Sequence, residues 1–233
     1  PWSEITDWQS ELAPFYDQAR RMLGVENNSF HSPADQAMKS VAARMGVGES
    51  FKLAPVAVHF GKGPGIESSD PYFGGVGPAR NGCTNCGECM TGCRHNAKNT
   101  LDKNYLALAR YGGAIIQAMT TVTEIRPIES GGWLVHTKKT GGQSKNVLRA
   151  KQVIVAAGTF NTQKLLHRMK DEGKLPDLSN KLGHLSRTNS EALVGAIAKK
   201  KPNPDFTHGV AITSSFFPDE HTHVEPVRYG VGS

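Results

Sequence analysis

The chain carries four thiols, Cys83, Cys86, Cys89 and Cys93, spaced x2, x2 and x3, with no cysteine elsewhere. A thiolate is a soft ligand for iron, and bacterial ferredoxins use this spacing to hold iron–sulfur clusters. The chain departs from that run at Arg94, where ferredoxins have proline, and it holds no second run to complete a cluster pair. A zinc ribbon needs two cysteine pairs across a longer spacer, which is also absent. The four residues therefore read as ligands for an iron–sulfur cluster or another metal, or as a knot of buried thiols or adventitious disulfides bracing a loop.

A second arrangement is Val153-Ile154-Val155-Ala156-Ala157-Gly158-Thr159. An apolar, β-branched run of this kind predicts a strand buried on both faces of a parallel sheet. A strand that runs into glycine and then a helix N-terminus is how open α/β sheets offer backbone to a dinucleotide. No G-x-G-x-x-G is present to open a βαβ unit. Of the nine histidines, His221 and His223 lie two apart on an expected strand. With no third ligand in view they read as solvent-facing imidazoles.

The elements that must position these residues follow from periodicity and turn residues. Leu12, Phe15, Tyr16, Ala19, Met22 and Leu23 predict an amphipathic helix capped at Ser10 and stopped at Gly24. Ser32-Pro33 opens a second helix that ends at Gly46, with Ala37, Met38, Val41, Ala42 and Met45 as its core stripe. Residues 61–92, rich in Gly, Pro, Asn and Ser, form a long ordered loop that Phe60, Tyr72 and Phe73 would anchor. A helix is expected over Asn99 to Arg110, and an antiparallel meander over Thr121–Ile125, Trp133–Thr137 and Asn146–Ala150, turned at Gly131-Gly132 and Gly141-Gly142. Leu165, Leu166 and Met169 mark a helix after Gly158. Ala192 to Ala198, Gly209 to Phe217 and His221 to Tyr229 are further expected strands.

Composition bounds the class. The chain has 233 residues, 38% of them apolar, which excludes wholesale disorder. Its longest apolar runs fall far short of the roughly 20 residues that cross a bilayer. The 27 basic against 21 acidic residues give a net charge of +6 and a pI near 9.2. That excess is spread out, apart from Lys199-Lys200-Lys201 before a Pro-Asn-Pro turn, and no aromatics interleave with it. Nucleic acid is therefore not an expected partner. Closely spaced cysteines suit a reducing cytoplasm better than a secreted disulfide scaffold. The start at Pro1 and the end at Gly232-Ser233 predict an internal piece of a longer protein.

Taken together, three segments are specific. Cys89-Met90-Thr91-Gly92-Cys93-Arg94-His95-Asn96-Ala97-Lys98-Asn99-Thr100-Leu101-Asp102-Lys103-Asn104-Tyr105-Leu106 resembles the central segment of the glucose–methanol–choline (GMC) oxidoreductases, closest to their cholesterol-oxidase-like branch. Ala157 to Leu166 with Gly173 to Leu178 is similar to the last strand and helix of that branch's FAD domain, and Arg187 to Glu191 to its crossing into the substrate domain. Pro1 to Val25 looks like the segment after the family's glycine-rich flavin loop.

The resemblance implies an α/β to α+β fold: part of an FAD-binding Rossmann-like domain plus part of a mixed-sheet substrate domain. Residues 1–94 would be a helical and loop segment of the cap region, 95–180 part of the FAD domain with the meander, and 181–233 the start of the substrate-domain sheet. It implies a flavoprotein that takes a hydride from an alcohol, in this branch a sterol 3β-hydroxyl, onto FAD. By motif, Val122 would meet the adenine end of FAD through its backbone, and Ala157 and Gly158 would let the backbone approach the cofactor. Asn161 stands where the family usually has glycine. No catalytic residue is assigned, because the family's His–Asn pair would lie beyond Ser233. The piece alone is expected to hold FAD poorly and to be inactive. Its partners would be a small-molecule alcohol, the rest of its own chain and, through a lipophilic substrate, a membrane surface. The rival reading is an electron-transfer module built on the cysteine run.

Overall fold

The computed structural model describes residues 3–195 and 204–232. The chain divides into two compact units, 1–114 with 197–233, and 115–196. Helices and small antiparallel sheets are mixed along it.

In the first unit, helix α1 covers Trp8–Met22. Its cap is Asp7, whose carboxylate accepts from the backbone N–H groups of Gln9 (3.1 Å) and Ser10 (3.3 Å). Ser10, the expected cap, lies inside the helix and donates its hydroxyl to Asp7 Oδ2 at 2.6 Å. A carboxylate two to three residues upstream of these N–H groups takes the position the hydroxyl would need. The apolar stripe expected to be core is open, with Phe15 and Tyr16 well exposed, because no described element packs over it.

Helix α2, Pro33–Arg44, follows the sequence closely. Ser32 and Asp35 form a reciprocal capping box, Pro33 sits at the first turn, and Gly46 leaves the helix at φ +76°. Of its expected stripe Ala42 is buried, whereas Met45 is 53% exposed.

Asp35 carries more than a cap. It is 1% exposed and also accepts from Thr213 Oγ1, which in turn accepts from Arg228 Nη2 at 2.7 Å. This buried relay ties α2 to the later segment, whose strand Ser214–Asp219 pairs antiparallel with Lys52–Leu53 and with Thr222–Val224. These strands are shorter than the runs expected over Gly209 to Phe217 and His221 to Tyr229. Of Ala192 to Ala198, residues 192–195 form no strand and 196–198 lie outside the described residues.

Two further ribbons, Glu26–Asn27 with Pro55–Val56 and Glu67–Ser68 with Arg80–Asn81, frame the long loop. Asp70 organises its middle: the carboxylate accepts from the N–H groups of Tyr72, Phe73, Gly75 and Gly77 at 2.6–3.1 Å. Arg80, fully buried, closes its end. Nε donates to Asn99 Oδ1, Nη2 to the Lys103 carbonyl and Nη1 to the Pro78 carbonyl, each at 2.6 Å. Lys103 can accept because the helix expected from Asn99 to Arg110 is broken. A short turn, Leu101–Lys103, precedes helix α3, Tyr105–Tyr111, and the buried Asn104 between them caps α3 with its own side chain. Asparagine competes with the helix for backbone hydrogen bonds, which explains the break.

The second unit holds the meander as expected: Thr120–Pro127, Trp133–Lys139 and Lys145–Ala150 in sequential antiparallel order. Gly131 and Gly132 make its first turn at φ +94° and +85°. Helix α4, Gly158–Asp171, follows, with Met169 fully buried. The Val153 to Ala157 run forms no strand and pairs with none, and Ile154 is 91% exposed. Val153 and Val155 instead line a cavity of about 410 Å³ with Ile125, Trp133 and Leu166. A run with two apolar faces needs cover on both, and here only one face has it.

Candidate functional site

The cysteine run lies in the core of the first unit. Val58, Cys83, Ala97 and Val210 form a buried cluster against which Phe60, Cys89 and Cys93 pack. All four cysteines are free thiols. They line one small cavity of about 10 Å³, shared with Glu88 and His95. The backbone holding them is tightly set. Gly87 sits at φ +78°, and a Cβ there would come 2.1 Å from the Thr207 carbonyl oxygen. Gly209 donates its N–H to the Asn85 carbonyl at 2.8 Å and bridges to Cys86.

The thiols differ electrostatically. Burial pushes Cys83 up to about 11 and also raises Cys89. Burial acts in the same sense on Cys93, but N–H groups of Lys98, Ala97 and His95 stabilise its thiolate and bring it below the ordinary value. Among the described residues, Cys86 alone of the four belongs to a tight group of potential ligand atoms, with Glu88 and His95, all within 4.8 Å of one another. Glu88 and His95 were passed over as ligands, although Glu88 adjoins Cys89 and His95 lies two residues beyond Cys93.

A buried polar network in the same unit was also missed. His59 Nδ1 lies 3.0 Å from Glu26 Oε1, its Nε2 lies 3.2 Å from Ser68 Oγ, and Tyr72 donates to Glu26 at 2.8 Å. Burial, helped by the Glu26 carboxylate, pushes the Tyr72 phenol up to about 12, although an Asn99 hydrogen bond opposes it. Tyr72 thus anchors the loop as expected, by its hydroxyl. His221 and His223 are drawn to separate neighbours, His221 beside Glu220 at 3.3 Å and His223 stacked on Phe217.

The second unit holds the three residues expected at FAD. Val122 pairs with Thr137 on the edge strand of the meander, beside an irregularity in register at Thr123. Ala157 is the residue before α4 and caps it with no side chain; Gly158 opens the helix at φ +73°. Nothing lies within 4 Å of where a Gly158 Cβ would stand. No acidic residue sits in the first turn of α4 and no side chain caps it, so no carboxylate competes for its first N–H groups, although the Ala157 N–H donates to Thr162 Oγ1 at 3.1 Å. This environment fits a phosphate-bearing group.

The sequence pattern of the GMC oxidoreductases matches residues 75–169. The match takes in the cysteine run, Val122, Ala157 and Gly158. Over its whole length the chain is 54% identical to a cholesterol oxidase of Mycobacterium tuberculosis, in strain H37Rv as in strain CDC 1551, and spans 42% of that protein. It is 42% identical to a cholesterol oxidase of Acinetobacter baumannii, again over its whole length, and spans 44% of it. The chain thus covers under half the length of these curated relatives. Among its described residues no helix is long and apolar enough to cross a membrane.

Proposed function

We propose that this chain is part of a GMC oxidoreductase, an FAD-dependent alcohol oxidoreductase whose substrate is a sterol 3β-hydroxyl, oxidised to the ketone. The observation that carries this reading is the 54% identity to a cholesterol oxidase across all of the chain. FAD, when bound, supplies the acceptor for the hydride leaving the alcohol carbon. The chain's own residues bind and orient. Val122 offers backbone from an edge strand, the kind of strand that keeps unpaired N–H and C=O groups. Ala157 and the bare Gly158 leave the N-terminus of α4 open for close approach. Residues 95–180 form part of the FAD domain in this reading, and 181–233 begin the substrate-domain sheet.

The exposed Ile115, Ile154 and Phe160 support a further part of the reading, that the remainder of the protein packs on this unit. Free thiols support a cytoplasmic setting, and a lipophilic substrate would bring the enzyme to a membrane surface.

The test uses the full-length protein. Wild type should copurify with flavin and convert cholesterol to its ketone. Gly158→Val, a β-branched residue at φ +73°, should lower the flavin content about tenfold or more, from roughly 1–2 kcal/mol of backbone strain plus lost access. Absence of flavin from the wild-type protein, or a flavoprotein inert towards sterols, would sink the proposal.

A further inference from the structure

The cysteine loop gathers more than sulfur. Cys86 Sγ, a Glu88 carboxylate oxygen and a His95 ring nitrogen lie within 4.8 Å of one another at the mouth of the small cavity. Among the described residues, neither the Glu88 carboxylate nor the His95 imidazole has a hydrogen bond or ion pair with another side chain. Their donor atoms are therefore available. We propose that Cys86, Glu88 and His95 bind one zinc(II) ion, as a clasp for the cysteine loop that is separate from flavin chemistry.

The donor set selects the metal. A thiolate and an imidazole disfavour calcium and magnesium, which take oxygen ligands, whereas a mixed S, N, O set suits zinc. The geometry needs little adjustment. Tetrahedral bonds of about 2.0–2.3 Å put donor atoms roughly 3.3–3.8 Å apart, so the set closes by rotations that move each donor by an ångström or so. The free space of about 10 Å³ matches one water-sized sphere and favours a single ion over a multi-iron cluster. His95 is exposed, which leaves the fourth position to water. Cys86 binds as the thiolate and gives its proton to solvent.

The position explains what an ion would do. Cys86 bridges to Gly209, Gly87 packs against the Thr207 carbonyl, and Glu88 opens the turn Glu88–Met90. Metal ligation at Cys86, Glu88 and His95 would fasten the loop where the later segment crosses it.

The experiment strips metal from the full-length protein with a chelator under reducing conditions and titrates it with cobalt(II), then zinc. The expected result is one equivalent of cobalt giving the intense visible bands of a tetrahedral site and a sulfur-to-cobalt band, both abolished by zinc. Cys86→Ser should remove the sulfur band. His95→Ala and Glu88→Gln, at positions that are not buried, should weaken binding by about 10–100-fold or more with the circular dichroism unchanged. They carry the test if Cys86→Ser fails to fold. The double variant His221→Ala/His223→Ala should bind as wild type. The proposal is overturned by the absence of a sulfur-to-cobalt band in wild type, by unchanged binding in His95→Ala and Glu88→Gln, or by iron with labile sulfide in the purified protein. Flavin content is read separately, so failure here leaves the oxidoreductase reading standing.

Discussion

Arg80→Met should be among the most damaging single substitutions in the first unit. The guanidinium is fully buried, and among the described residues it has no carboxylate partner within salt-bridge distance. Its charge is met by carbonyl oxygens and by the Tyr72 ring, 5.7 Å away. Two of its bonds are long-range, to Asn99 Oδ1 and to the Lys103 carbonyl, both at 2.6 Å. Asn99 passes the link on by donating to the Gly24 carbonyl at 3.2 Å. A hydrogen bond from a charged donor contributes about 1.5–3 kcal/mol net, so the two together suggest about 3–6 kcal/mol. Water entry and relaxation bring the expected loss to about 3–5 kcal/mol, at the upper end for single substitutions.

With a urea dependence of about 2 kcal/mol per molar, the unfolding midpoint should fall by about 1.5–2.5 M. Trypsin cleavage after Lys62, at the start of the loop, reports the unit concerned. Arg80→Lys keeps the charge but loses the planar fork, and should fall between the two. A midpoint for Arg80→Met within about 0.3 M of wild type would refute the claim that this side chain holds the loop.

Three other outcomes are expected. Thr213→Val removes the hydroxyl between Arg228 and Asp35 and should cost about 2–4 kcal/mol in a denaturation series. Burial raises Asp35, but hydrogen bonds from Ser214, Ser32 and Thr213 outweigh it and hold the folded carboxyl below its ordinary value. The stability this provides is complete above about pH 4 and is lost as pH falls through the lower folded value. Thr213→Val should therefore flatten the acid limb of a stability–pH curve. Gly87→Ala places a Cβ 2.1 Å from the Thr207 oxygen at a left-handed φ, and should lose about 2 kcal/mol or more by thermal melting. Cys83, raised to about 11 by burial, should be alkylated at neutral pH about 100-fold more slowly than an ordinary thiol, as read by mass spectrometry.

What the sequence made legible was local. The Ser32–Asp35 capping box and the paired glycines of the meander act within a few residues, so their signals survive without tertiary context. Long-range effects were hidden. Asp7 displaced Ser10 as the cap of α1 because both satisfy the same rule at adjacent turns. Asn104 broke a helix whose apolar spacing was sound, and the carbonyl it released serves Arg80. The apolar stripe of α1 and one face of the Val153 to Ala157 run, expected to be buried, stay open among the described residues. At the cysteine loop, spacing drew attention to sulfur alone. Glu88 meets Cys86 across the left-handed turn at Gly87, and His95 joins them only when the chain folds back after Cys93.

The relay from α2 to the later strands also sets a timetable for biosynthesis. Asn28 donates to the carbonyl of Thr213, 185 positions further on, and Asp35 waits for the same residue. At about 5–20 residues per second a ribosome needs roughly 10–40 s to reach it. The inserted unit, 115–196, has short-range contacts in its meander and can fold during that interval. The earlier residues cannot finish, because Cys86 gains its bridge, and the cluster around Cys83 its Val210, only when residues 209–210 emerge. During this interval the cysteine loop of the nascent chain should be more open to oxidation than in the finished fold.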